Sequence, residues 1–593
     1  MGSPGIAFTQ HVLTKMKISS RNREQKFSAA AKAEAGPSLS PRTTGIVAVA
    51  LAAIVFAIYS SALNFQFVLD DHRFVGDPRI QWPGHVWEYF TSYVWAQVAG
   101  GPASFYRPLF VLWLRLNFIL SGESPWGWHL LSIMKHLTVA ALLALLVWKL
   151  LRDRVAALLA GTLFALHPAQ VESVAWVTVP DPVMSAAILG SLLLYLKYSE
   201  PSSADQSVIG RSLKKSRRRR PAENSSLWIA GSAALCLAAL LTKETAIVLP
   251  AIIFAVTLTA PPAKASNEDM AKARNEALRL RAVSALRWTL PFLGATGIYL
   301  LLRVSALNGQ LSPRTQHLPW STLLLSWPAT LWFYVKVLLW PVQPRAFADP
   351  TIADSFSLHA VLLPGLGVLC AATVLTAVCG WAWQKARHDL SQPEAVRIQL
   401  ALLIGSLLLV LPLLLTLNLN SLDPGDFLHG RYTYLPLAGL MLVLSAAYHL
   451  AGRGRILLLC AVGLLAAAFA GFTVQQEAMW KDDLTIFTVA HQYAPHNQPV
   501  ARNLTKAHVQ AALELDEEGQ CDQAMPIFEQ AIEQFPEDWF AWAGRGECLF
   551  KLGDLPKAEQ SLRRASELSH EPRVTEEWQQ VRAQMGLPST PPR

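Results

Sequence analysis

Two adjacent carboxylates, Asp70 and Asp71, follow closely on the first apolar run long enough to cross a bilayer. A helix C-terminus favours cations, and a carboxylate at the hydrocarbon boundary costs solvation energy, so an acidic doublet there points to chemistry on a membrane-bound substrate. The structural alternative is a cap or turn pair opening the next helix. Other groups able to join such chemistry stand near the ends of later apolar runs: His72 and Asp77, Tyr106-Arg107-Pro108, His167-Pro168 with Glu172, Asp181, Lys243-Glu244, Arg303, and Asp423, Asp426, His429 and Arg431-Tyr432. For Lys243 and Arg431 the alternative is a cation snorkelling to the interface, and for the histidines a hydrogen-bonding loop role.

The elements that must position these groups are membrane helices. Of the 593 residues, 52% are apolar and 16% charged, well below the roughly one quarter charged of soluble domains. Runs near 45–63, 127–150, 154–167, 182–198, 227–242, 245–260, 288–303, 358–383, 399–417, 432–450 and 455–474 read as about eleven spans. Lys/Arg clusters at 1–43, Arg152 with Arg154, Lys214 to Arg220, Lys264 to Arg287, Lys385 to Arg397, and Arg453 with Arg455 fall in alternate loops and are all assigned to the cytoplasmic face. The candidate groups then share the opposite face, and an odd count places the C-terminal tail there too. The apolar stretch 319–340 would put Lys385 to Arg397 on the wrong side if it crossed, so it is expected to be interfacial or re-entrant. Orientation also accounts for the net charge of +9 without nucleic acid. The spans are largely free of charge, which argues against a transporter.

Three domains follow: a disordered basic cytoplasmic arm (1–43), a membrane domain (44–476) with a large, aromatic-rich outer loop (65–126), and a tail (477–593). In the tail Ala512, Gly519, Ala524, Phe528 and Ala531 recur as Gly546, Gly553, Ala558, Leu562 and Ala565, offset by 34 residues. This is the period of a tetratricopeptide (TPR) α-solenoid, with a preceding half-repeat around Trp480, Phe487, Ala490 and Pro495. The fold class is therefore all-α. Cys236, Cys370, Cys379 and Cys460 lie in apolar runs, whereas Cys521 and Cys548 lie in the tail and would bridge if it faced an oxidising compartment.

The ordered set Asp70-Asp71, Tyr106-Arg107-Pro108-Leu109, His129-Leu130 with His136, His167-Pro168 before Glu172-Ser173-Val174-Ala175, Asp181, Lys243-Glu244-Thr245 and Arg431-Tyr432-Thr433-Tyr434-Leu435-Pro436, ending in TPR repeats, resembles the transmembrane-and-tetratricopeptide-repeat (TMTC) proteins and their bacterial relatives. The family looks like a branch of the GT-C glycosyltransferases. The resemblance implies transfer of a sugar, mannose or another hexose, from a polyprenyl-phosphate donor to a protein hydroxyl outside the cytoplasm, in a bacterial inner membrane. It makes Asp70 the general base and Asp71 its neighbour in register, while Arg107, Arg431, Lys243 and Arg303 meet the donor phosphate. His72, Tyr106, His167, Glu172, Asp181, Glu244 and Tyr432 support them. Expected partners are the lipid donor, membrane lipids, an acceptor protein or lipid, and a protein bound by the TPR tail; a divalent metal is an open addition. Lipid A or O-antigen type transfer and a non-catalytic TPR scaffold are the alternatives. The sequence departs from its relatives at Val179-Pro180, where they often carry Arg-Ala or Arg-Lys, and in having only about two and a half repeats.

Overall fold

The computed structural model describes residues 39–97, 105–198, 225–259, 270–309, 318–343, 347–348, 352–421, 428–569 and 572–588, and these form helices and turns with no strand among them. Residues 1–38, Lys214 to Arg220, Asp423 and Asp426 lie outside that set. Among the described residues, seven helices are long and apolar enough to cross a membrane, or eight if Arg154–Leu166 and Pro168–Ala175, bent by 58°, make one broken span. Ser226–Thr242 and Glu244–Thr259 are apolar but shorter. The chain is thus a multi-pass membrane protein.

Local chemistry starts these helices where the sequence turns. Proline opens Pro41–Ile58, Pro108–Ser121 and Pro125–Leu151, where its missing N–H costs nothing. Ser40 caps the first of them by accepting from the Thr43 N–H (3.1 Å), and Ser391 with Glu394 forms a capping box at Gln392–Leu415. That helix packs against Tyr434–His449 at backbone distance. A Cβ on Gly439 would stand 2.5 Å from the Gly405 carbonyl, so only glycine permits the approach, as in other membrane helix pairs.

One end of the bundle, the site face, carries the loop after Pro41–Ile58, and the last span, Arg455–Glu477, ends there as well. Glu477 accepts the Ala62 N–H across 415 residues of chain (3.1 Å). Trp320–Leu339 passes the length and apolarity test for crossing, yet both its ends meet this same face. Leu318 N–H donates to Asn420 (2.8 Å), just beyond Gln392–Leu415, while the Leu338 carbonyl meets His167 Nε2 (3.1 Å) and the Pro341 carbonyl meets Gln476 (2.7 Å). A helix that begins and ends on one face lies along it.

The tail consists of Asp483–Tyr493, two hairpins (Gln498–Glu517 with Cys521–Gln534, Trp539–Lys551 with Leu555–Ser569) and a closing helix, Pro572–Gln584. The small residue that recurs from Ala512 to Gly546 has its reason in packing: a Cβ on Gly546 would meet Leu562 at 2.6 Å. The tail docks on the site face through its first helix. Gln66 N–H donates to the Lys481 carbonyl (2.9 Å), and Asn497 to the Ala348 carbonyl (3.1 Å).

Candidate active site

Residues 172–181 form the spine of the site. Val171–Ala175 is one helical turn, after which Trp176 is extended and Pro180 keeps Val179 out of the helical region. Backbone groups here lack helical partners and meet side chains instead. Thr178 donates its N–H (3.1 Å) and hydroxyl (2.6 Å) to one Asp71 oxygen, while Val68 N–H donates to the other (3.3 Å). Asp71 is fully buried, and burial raises its carboxyl to about 7 against the pull of those hydrogen bonds. Asp71 is therefore a fixed internal strut of the turn. Asp70, one residue earlier, is only half-buried and is the more exposed member of the doublet.

Further along the spine, Asp181 takes Lys243 Nζ on both oxygens (2.7 Å each). At its start, Glu172 accepts from Arg431 Nη1 (2.9 Å) and the Arg431 backbone N–H (3.0 Å) and pairs with His429 Nδ1 (3.1 Å). Arg107 binds Glu244 through Nε (2.9 Å) and Nη2. Aromatic rings bring the cations side by side. Lys243 lies 4.8 Å and Arg431 5.3 Å from the Tyr432 centroid, Arg431 also covers Trp176 (4.5 Å), and Arg107 and Tyr432 interact electrostatically. Lys243 feels both arginines. Side chains from five separate stretches of sequence thus converge on one face.

The remaining predicted residues take different places. Arg303 reaches the Tyr299 hydroxyl (3.2 Å), whose ring lies 6.2 Å from that of Tyr106, so both border the Arg107–Glu244 pair. Tyr106 is buried and donates to the Phe90 carbonyl (3.0 Å). His167 is held at both nitrogens, Nδ1 accepting from Ala169 N–H (3.2 Å) and Nε2 facing the Leu338 carbonyl, which makes it a joint between the spine and the interfacial helix. His72 points to the tail and pairs with Asp483 (3.3 Å), a contact that raises its pKa.

Two residues escaped sequence reasoning. Lys135, inside Pro125–Leu151, donates to the Val177 (3.1 Å) and Val179 (3.4 Å) carbonyls and interacts electrostatically with both Asp71 and Asp181. It joins the acidic turn to the cationic half of the site, and its signal was a lysine within an apolar span. Asp483 receives the Leu69 N–H (2.8 Å) as well as His72, holding a turn whose Leu69 has φ +56°. No local sequence pattern marked it. Among the described residues, the trio of metal-ligating types whose donor atoms lie within 4.8 Å of one another is Asp516, Cys521 and Cys548, in the tail.

A tetratricopeptide-repeat family profile matches residues 509–570. The chain is 27% identical over 519 residues to protein O-mannosyl-transferase Tmtc1 of Drosophila melanogaster, covering 75% of this chain and 57% of the relative. It is 26% identical over 515 residues to TMTC1 of Homo sapiens (81% and 54%) and 34% identical over 200 residues to Tmtc2 of Drosophila melanogaster (33% and 20%). The chain spans a little over half the length of the two relatives it matches most extensively. Among solved structures, ArnT from Cupriavidus metallidurans bound to undecaprenyl phosphate aligns at a TM-score of 0.39 and 15% identity, over 88% of this chain and 80% of that one. An archaeal oligosaccharyltransferase, AglB from Archaeoglobus fulgidus, aligns at 0.39 and 13% identity (77% and 59%). With the two TMTC1 relatives matched over three quarters or more of the chain and a repeat profile in the tail, the chain is similar to the transmembrane-and-tetratricopeptide-repeat proteins, the likeness its motifs carry.

Proposed function

We propose that the chain transfers a hexose, mannose in the first instance, from a polyprenyl-phosphate donor to a hydroxyl of an acceptor protein on the extracytoplasmic side of the membrane. Relatives named as protein O-mannosyl-transferases support the reaction class. The placement of Lys/Arg clusters opposite the site face supports the orientation, with the N-terminal arm cytoplasmic and the tail outside. The observation that carries the reading is the convergence of Arg107, Lys243 and Arg431 around Tyr432, joined through Asp181, Lys135 and residues 176–181 to the Asp70–Asp71 turn.

In the reaction the acceptor oxygen bonds to C1 of the sugar as the C1–phosphate bond breaks. Asp70 takes the hydroxyl proton, and the lipid phosphate leaves with the bonding pair. A positioned base contributes roughly 10²–10⁴-fold. Cations fixed near the phosphate stabilise the charge that grows on it, and Arg matches phosphate oxygens two at a time. Asp71, gripped by Thr178 and Val68, fixes the turn that presents Asp70. Membrane lipids surround the donor chain, and the tail presents the acceptor or a partner.

The test is transfer of labelled mannose from polyprenyl-phosphate mannose to membrane proteins, comparing parent with Asp70→Asn. A loss of about 100-fold or more, with unchanged membrane insertion, is expected. Transfer equal to the parent removes Asp70 as base; glycan loss from lipid A instead of exported proteins in a deletion strain moves the acceptor to lipid.

A further inference from the structure

Away from the site face, the structure brings together the two tail cysteines. Cys521 is the first residue of Cys521–Gln534 in one repeat, and Cys548 lies in Trp539–Lys551 of the next. Each thiol donates to the same Asp516 Oδ1 at 3.0 Å, and the three donor atoms lie within 4.8 Å of one another. All three residues are buried, whereas the other four cysteines sit in the membrane helices.

The cluster has two chemical outlets, a soft divalent metal or a disulfide, and Lys551 decides between them. Its ammonium is 2.9 Å from Asp516 Oδ1 and 2.9 Å from the Asp516 carbonyl, so the carboxylate already has its cation. A metal would have to expel Lys551 and strip both thiols of protons. A disulfide leaves the Asp516–Lys551 pair intact and changes no formal charge. We propose that Cys521 and Cys548 are oxidised to a disulfide that staples the two tetratricopeptide repeats together. The staple rests on the extracytoplasmic placement of the tail proposed above, since only an oxidising compartment sustains it.

Cys521 loses its proton to solvent, and the thiolate attacks an exchangeable disulfide of an oxidant protein or small thiol couple, releasing one oxidant thiolate. Cys548, deprotonated in turn, attacks the Cys521 sulfur of the mixed disulfide and releases the second. Two thiols are oxidised, one oxidant disulfide is reduced to two thiols, and two protons pass to them. The sulfurs must close to about 2.05 Å. Because both are buried, attack on the oxidant precedes the docking of Trp539–Lys551 onto Cys521–Gln534.

Full-length chain in its native membranes is acid-quenched and alkylated in denaturant with a mass-adding maleimide, before and after reduction. The expected result is two additional maleimides per chain on reduction and a cross-linked peptide pair containing Cys521 and Cys548. Both signals vanish in Cys521→Ser and in Cys548→Ser, whose apparent melting midpoint falls by roughly 10 °C. In parallel, Glu537→Cys in the doubly Ser-substituted chain is probed with a membrane-impermeant maleimide. Labelling from outside with the native pair found as free thiols overturns the staple and spares the orientation; a cytoplasmic tail overturns both. About one zinc per chain, released on acidification, overturns it in favour of the metal.

Discussion

The two ends of the membrane bundle use charge differently. On the face opposite the site, a single acid closes its own circle: Asp153 caps Arg154–Leu166 through the Ala156 N–H (3.1 Å) and receives His449 (2.9 Å) and Arg455. One carboxylate joins three helices. On the site face Asp71, Glu172, Asp181 and Glu244 meet Lys135, Lys243, Arg107 and Arg431, and burial draws Asp71 toward the neutral form. Buried ion pairs contribute little net stability because desolvation offsets their attraction. Asp153 has a job that packing requires, whereas the crowd of cations around Tyr432 is the arrangement that the proposed lipid-phosphate donor would call for.

The sharpest way to break that contrast is to remove one arginine from each end. Arg431→Ala is expected to lower mannose transfer about 100-fold, in the range of charge-assisted contacts made to a leaving group. Arg431→Lys recovers part of it, since one point charge replaces a fork. Arg455→Ala should change transfer by less than about threefold while lowering the melting midpoint by a few degrees, the cost of a broken, partly buried pair. Measured side by side in purified membranes, equal losses of transfer would mean that the site-face charges are structural like their counterparts.

How much of this was legible in the chain depends on the distance over which partners meet. Apolar runs of span length and the 34-residue recurrence from Ala512 to Gly546 are local patterns, so the helices and the solenoid could be read directly. The residue types of the site were legible for the same reason, standing near the ends of spans. Their pairing was not, because Lys243 and Asp181 are 62 residues apart, Arg107 and Glu244 137, and Glu172 and Arg431 259. The resemblance ranked Asp70 ahead of Asp71 as base, but no local pattern gave the physical reason, since Thr178, 107 residues away, helps make Asp71 the buried one. Lys135 was hidden by the apolar run around it.

A second comparison lies within the doublet. Asp71 is raised to about 7 by burial, so its protonation stabilises the fold fully below its ordinary pKa near 3.8, and that contribution is lost as pH rises through 7. The span between the two values amounts to about 4 kcal/mol at its limit. Asp71→Asn cannot ionise, so the parent's melting midpoint should fall between pH 4.5 and 7.5 relative to the variant's. The variant itself starts lower, because its amide presents a donor to either Val68 N–H or the Thr178 donors. A parent and variant with parallel pH profiles would mean that Asp71 is ionised throughout and water-accessible, and the distinction from Asp70 would go.

The smallest effect concerns the joint between tail and turn, where Asp483 holds Leu69 N–H and His72. The hydrogen bond and charge of Asp483 raise the His72 pKa, so the charged pair is complete below the ordinary histidine value of 6.5 and is lost as pH rises through the elevated one. His72 is 54% exposed, and solvent screens the pair to a modest contribution. Amide exchange in residues 66–72, corrected for intrinsic rates, should therefore accelerate a few-fold from pH 6 to 8.5 in the parent. Asp483→Asn keeps an acceptor for Leu69 N–H and loses the charge, so its exchange should match the parent at high pH and be insensitive to pH. If the parent's corrected exchange is also flat, the tail holds the turn bearing Asp70 only through the Leu69 and Gln66 N–H bonds, and the solenoid supports the site through geometry without any electrostatic part.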